Sequence, residues 1–413
     1  MNIANNNGIP LPTGSGISSF RPADRLASVE EYYFSRKLKE VARLNAEGRD
    51  IISLAIGSPD MPPAESTIDV LCREARKANG HGYQPTVGTP ELRKAIADFY
   101  RRWYDVELNP QTEVQPLIGS KEGILHVTLA LVNPGEKVLV PNPGYPTYTA
   151  LSRLLGAEVV NYDLTEATGW QPDFCQLEDI VSRQHAESPV RILWTNYPHM
   201  PTGARARRDT YERLVDFGRR HGIVIVNDNP YSFILNESER LSILQVDGAK
   251  DCCIEFNSMS KSHNMPGWRV GMLATNAEFI RWILKVKSNI DSGTFRAMQL
   301  AAADALSAST PEWHHQANVV TYASRRAIAE DIMRALNCQF DPTQTGMFLW
   351  GRIPDSYDNV EELTERVLHD ARVFIAPGFI FGTNGQRYIR ISLCAKDELM
   401  REALKRIKET MNS

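Results

Sequence analysis

Five short apolar runs in the middle of the chain constrain its fold more than any other feature. They lie at residues 138–140, 191–195, 223–226, 253–256 and 270–274. Each is strand-length, each is bounded by Gly, Pro, Asn or Asp, and each leaves room for a crossover helix before the next. That is the pattern of a mostly parallel sheet between helical layers, an α/β fold. After about residue 295 the texture changes to long helical patterns at 301–308 and 324–336, then to strands near 348–353, 373–376 and 388–393. The expected division is a flexible N-terminal arm at 1–22, a large α/β domain at 51–295, and a smaller α+β domain. That smaller domain is assembled from 23–50 and 296–413.

Local signals agree with this. Thr89-Pro90-Glu91 supplies a cap, a first-turn proline and an acid ahead of Leu92, Ile96, Phe99 and Trp103 at helical spacing. A chain of 413 residues is too long for one average domain. Its 46 basic and 50 acidic side chains form no long run of either sign, which argues against a nucleic-acid or membrane surface. No apolar stretch approaches the roughly 20 residues that span a bilayer, and the first 20 residues lack a basic or an apolar segment. A cytoplasmic protein is expected. The 6 cysteines contain no C-x-x-C pair and no zinc spacing, so they read as reduced, buried thiols and no metal is expected.

In open parallel sheets, ligands collect beyond the carboxyl ends of the strands. One apolar run ends in Asn227-Asp228-Asn229-Pro230-Tyr231, and another leads into Ser258-Met259-Ser260-Lys261. Alone, such a lysine reads as an ordinary solvated charge. Gly119-Ser120-Lys121-Glu122-Gly123, ahead of an apolar helix, offers backbone N–H groups at a helix start, where the dipole favours a phosphate. By itself that segment also reads as a plain helix cap. No nucleotide-binding glycine loop, no H-E-x-x-H and no G-x-S-x-G is present. Lysine, phosphate cradle and strand-end Asp form the set that a pyridoxal-phosphate enzyme needs: an amine for the imine, donors for the phosphate, and a carboxylate for the pyridine nitrogen.

With Arg269 eight residues after Lys261, the sequence resembles the fold-type I, class I/II aminotransferases over about residues 30–410. The resemblance implies that Lys261 holds pyridoxal 5'-phosphate as a Schiff base and shuttles the proton, and that Asp228 pairs with the pyridine nitrogen. It further implies that Tyr231 bonds the 3'-oxygen and that Tyr145 stacks on the ring. Gly119, Ser120, Lys121, Ser258 and Arg269 would hold the phosphate, and Tyr83 would reach the phosphate of a neighbouring subunit, making a homodimer. Arg390 would bind the substrate α-carboxylate bidentately, with Gly57 along the substrate.

The implied activity moves an α-amino group from an L-amino acid to a 2-oxo acid through pyridoxamine phosphate, with glutamate and 2-oxoglutarate as one expected pair. Residues 288–293 resemble a branch with diaminopimelate-, aspartate- and alanine-type enzymes. Arg296 beyond them is read as a surface residue before a carboxylate ligand. One position departs from the family: Met200 stands where Asn is usual, so either Tyr231 carries the 3'-oxygen alone or Asn196 or His199 substitutes. The bonds Asn142-Pro143 and Met200-Pro201 resemble cis bonds of the family. A carbon–sulfur lyase or an aminocyclopropane-carboxylate-synthase-like enzyme on the same frame stays open, since these residues do not choose the bond broken. A cofactor-sensing regulator is the remote alternative.

Overall fold

The computed structural model describes residues 21–29, 33–184 and 188–411. Residues 1–20 of the expected arm lie outside them. A short 3-10 helix, Asp24–Ser28, precedes the first α-helix, Tyr33–Ala46, and a two-residue strand, β1 (Ile52–Ser53). Seven strands then build one sheet: β2 (Val114–Leu117), β3 (Lys137–Asn142), β4 (Glu158–Asp163), β5 (Val190–Thr195), β6 (Val224–Asp228), β7 (Cys253–Ser258) and β8 (Gly271–Ala274). Their order is β2-β8-β7-β6-β5-β3-β4, and only β8 runs antiparallel to its neighbours.

The five apolar runs are the five inner strands of this sheet, and the two edge strands are those without such a run. The reason is burial. An inner strand is covered on both faces and must be apolar, whereas β4 is mostly half-exposed, and β2 accommodates Pro116 at an edge. Pro90–Tyr104 is helical as its cap predicts, with Thr89 Oγ1 accepting from Leu92 N at 3.3 Å.

The order also contains a reversal. From β3 the chain steps outward to β4, then returns to the other side of β3 with β5 and continues through β6 and β7. Loops leaving β3 and β5 therefore diverge, opening a crevice at their carboxyl ends. Apolar residues pack on both sides of the sheet.

A separate apolar cluster surrounds an antiparallel sheet of order β12-β13-β10-β9, made of β9 (Gln339–Phe340), β10 (Phe348–Arg352), β12 (Ala376–Pro377) and β13 (Tyr388–Ser392). β1 pairs in parallel with β11 (Val373–Phe374), and Phe34, Val41 and Leu44 of the first helix join the same cluster. The N-terminal helix is thus packed on the C-terminal strands, across the sequence.

Ile254 lies fully buried at the centre of β7, opposite Val226 of β6. Ile254→Ala is expected to cost about 2–5 kcal/mol, read as a lowered urea midpoint at unchanged slope. A midpoint equal to wild type would contradict this packing.

Candidate active site

β6 ends at Asp228 and β7 at Ser258, and the next turn, Met259–Ser262, turns the chain back toward the crevice with Lys261 on it. Ser258 starts that turn, its Oγ accepting from Ser260 N at 3.2 Å. The two tips open into a cavity of 610 Å³ that Lys261, Asp228, Ser120, Arg269, Tyr145 and Arg390 all line.

Lys261 Nζ donates to Gly57 O at 2.5 Å. Burial, with Arg390 and Arg269 nearby, draws its pKa below that of an ordinary lysine, although Cys394 and Asp228 oppose the shift. Asp228 is buried. Its Oδ2 accepts from Tyr148 OH at 3.0 Å, while Oδ1 has no partner among the described residues. Burial pushes this carboxyl up to about 7, against the pull of Tyr148 and Lys261.

The glycine-rich turn closes against Arg269. Gly119 caps the helix Ser120–Leu131 at φ 73° and has no side chain of its own to bond the first-turn N–H groups. A Cβ at Gly119 would lie 2.1 Å from Arg269 Nη2, and one at Gly271 would lie 2.6 Å from Ser120 N. Both glycines therefore allow close approach, which sets the guanidinium beside the helix start. Ser120, Lys121 and Ser258 line the cavity with it, and Gly119 sits just behind.

Tyr145 and Tyr231 are half-buried on the cavity wall. Tyr145 meets Tyr148 edge-on at 5.4 Å, and Tyr148 stacks on Trp194 at 5.0 Å. Arg390, on β13, is buried. It donates through Nη2 to Ala55 O at 2.7 Å and through Nη1 to Met200 Sδ at 3.3 Å. Its guanidinium lies 3.9 Å from the Phe348 ring centre and 4.5 Å from that of Phe381.

Two expectations are resolved around Met200. Asn196 lines the cavity, donating to Asp228 O and accepting from Met200 N at 2.8 Å, whereas His199 pairs with Thr202 Oγ1 at 2.8 Å and lies outside the lining. Of the two proposed substitutes, only Asn196 reaches the site. Asn142-Pro143 and Met200-Pro201 are cis, as is Tyr197-Pro198.

Tyr83 is the exception among the sequence-selected residues. It is 96% exposed and takes no part in this chain's cavity, so within one chain it is not a cofactor contact. Arg296 pairs with Glu91 at 3.3 Å, a surface role. Sequence reasoning missed Tyr148 and the rings around Arg390. Tyr148 lies in the first turn of the helix Pro146–Leu154, which Tyr145 precedes as its cap residue. Phe348 lies on β10, the strand paired with β13.

The residues present fit pyridoxal phosphate. Asp228 Oδ1 is an orphaned buried acceptor matching a protonated ring nitrogen, and the turn with Arg269 matches a phosphate.

Residues 49–407 match the family model of class I and II aminotransferases. The chain belongs to this family and is a pyridoxal-phosphate-dependent amino-acid transaminase. It is 40% identical to an LL-diaminopimelate aminotransferase of Dehalococcoides mccartyi over 93% of this chain and 97% of the relative. It is 39% identical to one of Oleidesulfovibrio alaskensis over 95% and 99%. Among solved structures, substrate-bound BacF of Bacillus subtilis shares 32% identity and a TM-score of 0.87, over 94% of this chain and 97% of that one. These relatives favour transamination over the lyase and regulator readings.

The Asp228 shift gives a signed pH dependence. Its folded pKa, about 7, lies above the ordinary 3.8. The contribution of Asp228 to the stability of the cofactor-free protein is therefore fully present below about pH 4 and is lost as pH rises through about 7, by roughly 4 kcal/mol at most. Asp228→Asn removes this dependence. Without cofactor, the variant is expected to melt above wild type at pH 8 and alongside it at pH 4. The reverse order at pH 8 would sink this account of Asp228.

Proposed function

We propose that Lys261, Asp228 and Tyr231 carry out transamination of an L-amino acid with a 2-oxo acid on pyridoxal phosphate bound in this cavity. The observation that carries this reading is the meeting of a lysine of lowered pKa, an orphaned carboxylate and an uncovered helix start in one cavity. When bound, the cofactor supplies a carbonyl that takes the amino group and a ring that accepts electrons from the α-carbon.

The chain's residues do the rest. Lys261 tethers the cofactor and, once displaced by substrate, moves the proton at the substrate α-carbon. Its buried amine is readily neutral, which a base requires. Asp228 holds a proton at the pyridine nitrogen, Tyr231 bonds the 3'-oxygen and Tyr145 covers a ring face. Gly119, Ser120, Lys121, Ser258 and Arg269 hold the phosphate.

Arg390 binds the substrate α-carboxylate beside Gly57. The thioether of Met200 is a weak acceptor, so Nη1 leaves it for a carboxylate at little cost.

The exposed ring of Tyr83 fits a reach to the phosphate of a second copy, and the working unit we propose is a homodimer. All 6 cysteines are free, and among the described residues no helix is long and apolar enough to cross a membrane; both support a cytoplasmic setting. The relatives' names make LL-diaminopimelate the first amino acid to test, with glutamate and 2-oxoglutarate as the partner pair.

Titrating purified protein with an amino-acid panel, while following the absorbance of the lysine-bound cofactor, tests the reading. Wild type is expected to shift with a donor amino acid, and Lys261→Ala to lack both the band and turnover. An active Lys261→Ala would refute it. Arg390→Lys is expected to raise the amino-acid KM by about tenfold or more, because lysine cannot form the bidentate pair. An unchanged KM would remove Arg390 from carboxylate binding.

A further inference from the structure

Glu122 is the acid in the first turn of the helix Ser120–Leu131, whose start faces the cavity. A carboxylate at that position ordinarily bends back over the helix start and takes the N–H groups that an anion would use. Here it bends back past Gly119 to the N–H of Ile118 and is fixed there from its other side. Glu122 Oε1 lies 2.5 Å from Lys287 Nζ and 2.6 Å from His126 Nε2, and Oε2 accepts from Ile118 N at 2.5 Å, one residue ahead of Gly119. Lys287 also donates to both oxygens of Asp291, at 2.8 and 2.9 Å, and His126 Nε2 lies 3.4 Å from Asp291 Oδ2.

Lys287 and His126 are buried, and the two acids are half-buried. Glu122, His126 and Asp291 are grouped closely enough to hold a metal ion, but the Lys287 ammonium already stands between the carboxylates. Burial pushes the Glu122 carboxyl up, yet the bonds from His126, Asp291 and Lys287 outweigh it and hold it at about 2. It is an anion at any ordinary pH. An anion so near a phosphate site is repulsive unless it is fixed and compensated.

We propose that Lys287, with His126 and Asp291, fixes Glu122 on the Ile118 N–H, so that the turn carrying the N–H donors at Gly119, Ser120 and Lys121 is held in place for the cofactor phosphate. Glu122 and Lys287 are then positioning residues for phosphate binding. The inference rests on the phosphate reading given above. Two further observations support it. The helix start has no side-chain cap. The turn is also packed tightly between Arg269 and Gly271, so a shift at Ile118 passes directly to the Gly119 and Ser120 amides.

A network that only glued helices together would affect every ligand alike, and phosphate chemistry separates the two cases. Purified full-length chain, stripped of cofactor, is titrated with pyridoxal phosphate and with pyridoxal, following the absorbance of the lysine-bound form. For Glu122→Ala and Lys287→Met, affinity for pyridoxal phosphate is expected to fall by about tenfold or more, one charge-assisted hydrogen bond's worth, while affinity for pyridoxal holds.

Lys287→Met leaves two half-buried carboxylates without their ammonium and risks misfolding, so Glu122→Gln serves as the second variant. Its carbonyl can still accept from Ile118 N, and its loss is expected to fall between wild type and Glu122→Ala. Equal losses for both ligands, or no loss for the phosphate ester, would overturn the clamp. If wild type shows no preference for the phosphate ester over pyridoxal, the phosphate reading fails before any variant is compared.

Discussion

The cost of burying the Asp228 carboxylate governs how the rest of the cavity is arranged. Among the described residues, Oδ1 at the tip of an inner strand has no partner, and Tyr148 OH is the side-chain donor to the other oxygen. An isolated buried acid of this kind destabilises a fold unless a cation answers it. Lys261 is near enough to act on Asp228 electrostatically, yet its Nζ is bonded to Gly57 O. Acid and amine therefore share a cavity without collapsing into an ion pair. Each keeps a shifted pKa, the carboxyl raised and the amine lowered, so both are poised for a third group that carries charge of its own.

Two sheets hold this arrangement apart. Asp228 and Lys261 belong to the seven-stranded sheet, whose reversal at β3 and β5 opens the crevice. Arg390 comes from the antiparallel sheet, with Phe348 on the adjacent strand and Phe34 from the N-terminal helix at the same cluster. Ala55, just beyond β1, takes the Arg390 Nη2 bond, and Gly57, two residues on, takes the Lys261 bond. The segment 55–57 thus links both ends of the cavity through its carbonyls. Backbone acceptors suit this task because their position is set by the fold and not by a rotamer.

The parts legible in the sequence are those with short-range signatures. Inner strands were readable because burial on both faces demands continuous apolar runs. Strand-end residues such as Asp228 and Lys261 were readable because parallel sheets place ligands there. The edge strands were not: β4 is mostly half-exposed and freed from that demand, and β2, though buried, carries Gln115 and Pro116 in a four-residue strand. Tyr148 and the Arg390 rings were also hidden, because an aromatic side chain in sequence reads as core. The Glu122–Lys287 pair spans 165 positions, and charges on helices ordinarily read as solvated faces. Tyr83, expected from the resemblance to reach a neighbouring subunit, has an exposed ring that takes no part in its own chain's cavity.

Met200 shows how a departure visible in sequence acquires physical content only in three dimensions. As a sequence it reads as a lost donor, since a thioether has no hydrogen to give. In the structure its sulfur accepts from Arg390 Nη1, and its backbone N–H is held by the Asn196 amide, which also reaches the Asp228 carbonyl. The two functional ends, Arg390 and Asp228, are thereby joined through one buried asparagine and one methionine. A soft acceptor beside aromatic faces holds a guanidinium in a dry site while binding it weakly. An amide oxygen in the same place would bind Nη1 more firmly and compete with an incoming carboxylate. On the proposed role of Arg390, the methionine therefore leaves Nη1 with a weaker competing acceptor than an amide oxygen would.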